Sequence, residues 1–181
     1  MRLKIGLDID DTICDFIGPY LKRFGTPKRD SEITKNVSRI LINDKDFWMN
    51  LPIIHSPNFV PTLYCTKRVH PKTWSRQFLV ENGLPPAPIY QILCQLSSKA
   101  SRIKGRVDVF VDDSISNFID LNLNGVPCLL IDGKHNRKWG PVGRIFSLDK
   151  EEIEESYFLF KDTMFDYFKD LVDDYRREVL R

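Results

Sequence analysis

Three carboxylates and a hydroxyl follow a short apolar segment near the start of the chain. Apolar residues alternate from position 3 to position 9, which predicts a strand, and Asp8, Asp10, Asp11 and Thr12 lie at its end. Carboxylates crowded at a strand end repel one another and lose solvation, so folding alone gives no reason to place them there. A hard divalent cation with oxygen ligands would balance them.

A second acidic strand end appears later in the chain. The apolar segment 107–111 runs into Asp112 and Asp113. If the two strands are parallel neighbours, Asp8, Asp10, Asp112 and Asp113 meet at one edge of the sheet and form a Mg²⁺ site that water and a substrate phosphate complete. Helix capping is the alternative for a single acid, but it does not account for two acidic strand ends.

Strands and helices alternate along most of the chain, which favours a parallel α/β sheet. We predict a core at 1–15 and 59–150, and a small cap at 16–58 whose residues from 25 onward are irregular and polar. From Asp149 onward one long amphipathic helix, residues 151–181, packs on the core or forms a homodimer contact. The remaining predicted strands cover 60–66, 89–93, 107–111 and 126–131, and the predicted helices cover 16–24, 72–82, 99–104 and 115–124.

Bulk composition excludes several classes of protein. With 27 basic and 25 acidic side chains among 181 residues, the net charge of +2 favours neither a stable nucleic-acid partner nor a membrane surface. No apolar run is long enough for a membrane span, and the first strand is too short for a signal peptide. We expect reduced, mostly buried thiols in a cytoplasmic protein, and surface histidines rather than zinc ligands. These residues are Cys14, Cys65, Cys94, Cys128, His55, His70 and His135.

The ordered set of polar residues resembles a known superfamily. Asp8-x-Asp10-x-Thr12 after an apolar strand is similar to the first signature of the haloacid dehalogenase (HAD) phosphatases. Thr66 resembles the second signature, Lys99 the third and Asp112-Asp113 the fourth. The resemblance covers about residues 1–150. It implies a Rossmann-like parallel sheet with helices on both faces and a small cap inserted after the first strand.

The resemblance also implies a role for each residue. Asp8 would be the nucleophile that forms an aspartyl-phosphate, and Asp10 would be the general acid and base. Mg²⁺ would be held by the Asp8 carboxylate, the Asp10 backbone carbonyl and Asp112, with Asp113 extending its surroundings. Thr66 would hydrogen-bond a phosphate oxygen, and Lys99 would neutralise the transferring group. Lys104 is the alternative lysine, but it lies close to its own strand, which favours Lys99.

A narrower resemblance concerns the substrate. The segment from Asp8 to Phe16 is similar to the start of the 5'(3')-deoxyribonucleotidases, and Phe47-Trp48-x-x-Leu51-Pro52 is similar to their cap. Segments 135–136 and 144–148 resemble their late region. This implies hydrolysis of deoxynucleoside monophosphates, with Phe16, Phe47 and Trp48 around the base. The alternative is that the aromatic residues close the cap's own small core.

The loop after Thr66 departs from the family pattern. Lys67 and Arg68 stand where family members often carry a small polar residue. These two residues and Arg102 either shape a phosphate-binding field or are solvated charges, and we include Lys67 among the substrate-binding candidates. Alternative functions are a phosphatase for nucleic-acid ends or another small ester, a phosphoryl-accepting signalling domain, and a non-hydrolytic nucleotide-binding protein.

Overall fold

The computed structural model describes residues 3–93, 97–164 and 167–179. Six parallel strands form one sheet in the order β3-β2-β1-β4-β5-β6. Cys94 lies outside the described residues. The strands are β1 (Ile5–Leu7), β2 (Leu63–Thr66), β3 (Ile89–Gln91), β4 (Val109–Asp112), β5 (Cys128–Ile131) and β6 (Arg144–Ile145).

Helices flank the sheet, so the predicted α/β class with a Rossmann-like parallel sheet is confirmed. Sequence patterning identified five of the strands, and β6 is a short addition at the edge. Four central strands are buried along their whole length, as expected for strands covered on both faces. The helices are α1 (Ile17–Phe24), α2 (Asp30–Arg39), α3 (Lys45–Met49), α4 (Lys72–Glu81), α5 (Ala100–Ile103), α6 (Ile115–Leu123), α7 (Lys150–Met164) and α8 (Phe168–Val179).

The segment between β1 and β2 is helical, which corrects the prediction that residues from 25 onward are irregular. It contains α2, a short 3₁₀ helix at Leu41–Asn43, and α3. Ile33, Val37 and Leu41 are spaced four residues apart and pack inward, a helical stripe that the intervening polar residues obscure. The Asp44 carboxylate accepts a hydrogen bond from the Phe47 backbone N–H and so caps α3.

The C-terminal region contains two helices, α7 and α8, in place of the single long helix that we predicted. Both contact the chain's own core. The Phe168 ring on α8 lies 5.5 Å from the Phe118 ring on α6, and the Phe160 ring on α7 lies 6.0 Å from Phe118. The apolar stripe that suggested one continuous helix therefore serves two helices that pack around the same aromatic residue.

Among the residues that the structure describes, no helix has both the length and the apolar character needed to cross a bilayer. Cys14, Cys65 and Cys128 are free, buried thiols.

Candidate metal centre and active site

Two central strands bring the first acidic residues together. β1 pairs with β4 so that Leu7 lies opposite Val111, and the Asp8 backbone N–H donates a 2.9 Å hydrogen bond to the Val111 carbonyl. Asp8 and Asp112 are therefore carried to the same sheet edge. β2 and β3 lie on one side of β1, and the chain then crosses to β4 on the other side. The carboxyl ends of β1 and β4 therefore lie where the strand order reverses, which is a common ligand site in α/β sheets.

A buried cluster of three carboxylates lies at this edge. Oxygen atoms of Asp8, Asp112 and Asp113 all lie within 4.8 Å of one another. The prediction of four carboxylates around one point needs correction, because the Asp10 carboxylate pairs with an arginine instead. The three remaining acids form a group that could bind a metal ion.

Lys99 is the lysine at this site. Its Nζ lies 2.8 Å from Asp8 Oδ1 and 2.7 Å from Asp112 Oδ2, and the residue is only 1 % exposed. Lys104 instead donates from Nζ to the Asn124 carbonyl on the surface. Burial alone would lower the pKa of Lys99, but the charges of Asp112 and Asp8 outweigh it and raise that pKa above its usual value.

The charges in the cluster favour a further cation. One lysine faces three buried carboxylates. Burial raises the pKa of Asp8, the positive charge of Lys99 lowers it, and the negative charges of Asp112 and Asp113 raise it further. Asp8 Oδ1 is buried and accepts no hydrogen bond from the described residues, although the Lys99 ammonium lies 2.8 Å away. An oxygen-rich cluster with one unpartnered acceptor fits a hard divalent cation.

Neighbouring polar side chains hold the acids in place. Asn117 Nδ2 donates to both oxygens of Asp112, at 3.1 and 3.2 Å. Thr12 donates to Asp113 Oδ1 at 3.2 Å, and His135 Nε2 lies 2.8 Å from Asp113 Oδ2. Asn117 therefore orients Asp112 rather than Asp113. His135 is exposed, as predicted, yet its ring contacts the site.

Asp10 lies beside the cluster and is bound by Arg68. Arg68 Nε lies 3.0 and 3.1 Å from the two Asp10 oxygens, and its Nη2 lies 2.7 Å from Oδ1. Thr66 Oγ1 is buried and lies 3.5 Å from Asp10 Oδ2. Of the two alternatives stated for Arg68, the solvated charge is wrong, because its side chain is fully buried.

Sequence reasoning missed two buried residues here. Arg68 follows Thr66 by two positions. In an extended segment this spacing puts both side chains on the same face, which is the signal that could have identified Arg68. His70 is 1 % exposed and its ring lies 4.6 Å from Trp48, so its assignment to the surface was wrong. Burial lowers the pKa of His70 to about 4.

A cleft of about 490 Å³ lies between the acidic edge and the cap. Among the predicted aromatic residues, Phe16 and Trp48 line the cleft, and their rings stack 5.6 Å apart. Phe47 packs edge-on against both rings, so it supports that wall. Lys67 lines the cleft from the opposite element, and its pKa is lowered by burial and by the charge of Lys99.

The arrangement therefore combines a buried carboxylate beside a lysine, a second acid within an arginine fork, and an aromatic-lined cleft. Six of the predicted polar site residues line this cleft, and Asp112 contacts one of them, Lys99. The six are Asp8, Asp10, Thr66, Lys67, Lys99 and Asp113. Such a site can hold a divalent cation and an anionic substrate next to a nucleophilic oxygen. No protein-family model matches the chain, and no curated protein matches it.

Proposed function

We propose that the chain is a Mg²⁺-dependent phosphomonoesterase of the HAD type that acts through an aspartyl-phosphate on Asp8. The observation that carries the proposal is the contact of Lys99 with both Asp8 and Asp112, beside Asp113 and an independently held Asp10. The resemblance of Asp8-x-Asp10-x-Thr12, Thr66, Lys99 and Asp112-Asp113 to the four HAD signatures supports the same reading.

Asp8, Asp112 and Asp113 would hold the cation, together with the Asp10 backbone carbonyl. When bound, Mg²⁺ supplies positive charge that lets an anionic carboxylate and an anionic phosphate approach each other. Lys99 adds a second positive charge at the nucleophile, and the Thr66 hydroxyl would turn to donate to a phosphate oxygen.

The chemistry proceeds in two displacements. An Asp8 oxygen forms a bond to phosphorus while the bond to the leaving oxygen breaks, and the leaving oxygen takes the proton of the Asp10 carboxylic acid. The Asp10 carboxylate then takes a proton from water as the water oxygen attacks phosphorus. The bond between phosphorus and Asp8 breaks, its electron pair returns to Asp8, and inorganic phosphate leaves.

Deoxynucleoside monophosphates are the proposed substrates. The stacked rings of Phe16 and Trp48 line the same cleft as the acidic residues, which supports contact between these rings and a nucleobase. Stacking of a base on such rings contributes about 1–3 kcal/mol.

The free, buried thiols support a reducing compartment such as the cytoplasm.

A substrate panel tests the proposal. Phosphate release is measured from 5'- and 3'-deoxynucleotides, ribonucleotides, end-phosphorylated oligonucleotides and sugar phosphates, each with Mg²⁺ and with a chelator. We expect Mg²⁺-dependent release that is fastest from deoxynucleoside monophosphates. Preference for an end-phosphorylated oligonucleotide would replace the substrate assignment, and a long-lived acyl phosphate without turnover would favour a phosphoryl-accepting domain.

The Asp8→Asn variant tests the nucleophile. It keeps the size of the side chain but removes the attacking carboxylate, so we expect kcat to fall by more than about a thousandfold. The matched control is Asp46→Asn, which changes an exposed acid on α3. Circular dichroism of both variants should show a folded chain, and an active Asp8→Asn protein would refute the assignment.

A further inference from the structure

Arg68 is a buried cation in the loop after Thr66, where the sequence departs from the pattern that it otherwise resembles. Its side chain is fully buried, and its fork contacts Asp10 through Nε and Nη2. An arginine cannot discard its charge by losing a proton, so its burial requires a partner that stays in place. The geometry of Asp10 and the burial of Arg68 therefore depend on each other.

Two aromatic rings hold the guanidinium from opposite elements. The Arg68 Cζ atom lies 5.2 Å from the centre of the Trp48 ring on α3 and 5.0 Å from the centre of the Phe78 ring on α4. Both rings are buried, and each provides a cation–π contact. One ring from the cap and one from the core therefore hold the guanidinium in addition to its contacts with Asp10.

The fork occupies the two Asp10 oxygens unequally. Oδ1 accepts from Nε, from Nη2 and from the more distant Cys14 thiol, whereas Oδ2 accepts from Nε and, at 3.5 Å, from the Thr66 hydroxyl. The Asp10 side chain keeps 22 % exposure and lines the cleft. Oδ2 therefore has fewer and longer contacts than Oδ1, and we assign it the proton that passes to a leaving group.

We propose that Arg68 is a positioning residue that aims Asp10 Oδ2 for proton transfer and is itself held in place by Trp48 and Phe78. The inference rests on the proposed phosphomonoesterase function. Arg68 touches neither the transferring group nor the cation in this role. It acts through Asp10. Its removal therefore slows the steps that need a proton from Asp10 and does not change the rates of the other steps.

A competing role for Arg68 is direct binding of phosphate. Its Nη1 atom is buried and has no hydrogen-bond partner among the described residues, and Arg68 lines the cleft. A direct contact to a phosphate oxygen would assist every substrate equally, because all of them carry the same phosphoryl group. Comparing leaving groups separates the two roles.

The experiment compares kcat/KM for two esters, the best alkyl phosphate of the panel and p-nitrophenyl phosphate. An alkoxide needs a proton as it leaves, whereas a nitrophenolate leaves without one. Because kcat/KM covers steps only as far as departure of the leaving group, the Arg68→Met variant should lose about 10²–10³-fold on the alkyl ester and less than about tenfold on the aryl ester.

Two more variants sharpen the test. Phe78→Leu removes a ring that holds the guanidinium without touching the cleft, and it should show the same selective loss to a smaller degree. Arg68→Lys keeps the charge but not the fork, so it should recover part of the alkyl activity. Arg106→Met is the control, because this exposed arginine also lies over a ring, that of Tyr90, and should change neither ester.

The outcomes are distinct. Selective loss on the alkyl ester supports the positioning role. Equal loss on both esters, or no loss, overturns it and leaves the phosphomonoesterase function standing. A wild-type protein that hydrolyses neither ester with Mg²⁺ overturns both proposals. Thermal unfolding of each variant shows whether a loss of activity merely follows a loss of folded protein.

Discussion

Asp11 has a left-handed backbone conformation and a raised pKa. Its φ is 54°, in the left-handed region that few side chains adopt, and its carboxylate accepts hydrogen bonds from the backbone N–H groups of Phe16 and Ile17. These bonds tie the acidic turn to the start of α1. Burial and the nearby charge of Asp113 raise the pKa of Asp11 to about 7.

This pKa predicts a pH-dependent loss of stability. Below about pH 4 the Asp11 carboxyl is protonated in both the folded and the unfolded chain. As pH rises from about 4 through about 7, the unfolded chain gives up this proton more readily, so the stability that Asp11 contributes is lost over that range. Asn at position 11 can still accept both hydrogen bonds and tolerates a positive φ.

We therefore expect the difference in the free energy of unfolding, Asp11→Asn minus wild type, to be more positive at pH 8 than at pH 5, by roughly 1 kcal/mol or more. Urea unfolding in the presence of a chelator at the two pH values measures the difference. Asp46→Asn on the exposed side of α3 is the control. A difference that stays constant, or shrinks toward pH 8, would contradict the raised pKa of Asp11.

At the scale of elements, the turn before β6 lets α7 approach the sheet. Gly143 has a φ of 68°, and its carbonyl accepts a 2.8 Å hydrogen bond from the Leu130 N–H. A Cβ at this position would lie 2.7 Å from Phe160 and 3.1 Å from Phe118. Glycine is needed here both for the backbone conformation and for the close approach of two aromatic rings.

Gly143→Ala should destabilise the fold by about 2–4 kcal/mol, because overpacking and a left-handed backbone each add a cost. Gly140→Ala is the matched control in the same turn, since a Cβ there would meet nothing within 4 Å. It should change the free energy of unfolding by less than about 0.5 kcal/mol. Denaturant unfolding of both variants measures this, and similar values for the two would refute the close packing of α7.

At the scale of the whole molecule, the reversal of strand order gathers the charges. Residues separated by more than a hundred positions, Asp8 and Asp112, meet because β1 and β4 are neighbours while β2 and β3 lie on the far side of β1. The cap then covers this edge with residues of α2 and α3. Any ligand that relieves the buried negative charge will stabilise the fold as a whole.

Magnesium should therefore raise the melting temperature of the folded chain. With Mg²⁺ at about 100 times its dissociation constant, binding to the folded state adds about 2.7 kcal/mol. The Asp112→Asn variant should lose most of this rise, whereas Asp46→Asn should keep it. Thermal scans with and without Mg²⁺ give the comparison, and an equal rise in all three proteins would show that the cluster does not bind the ion.

The sequence alone determined the sheet class and most of the acidic site. Alternating strands and helices imply parallel order, and parallel order carries the strand ends of Asp8 and Asp112 to one edge, so their proximity follows from local patterns. Lys99 could be favoured over Lys104 from the sequence as well, because Lys104 lies close to its own strand. The bounds of α2 and α3 could not be predicted, because their apolar stripe is thin and broken by charge.

Only the tertiary structure decided the partners of the charged side chains. Arg68 is next to Lys67 in a polar loop. Its spacing from Thr66 suggests the direction of its side chain, but nothing local shows whether that side chain is solvated or buried. Its burial depends on Trp48, Phe78 and Asp10, which belong to three other segments of the chain. The desolvation of a charge and the compensation for it are set by contacts between distant segments, so a pattern read along the chain cannot supply them.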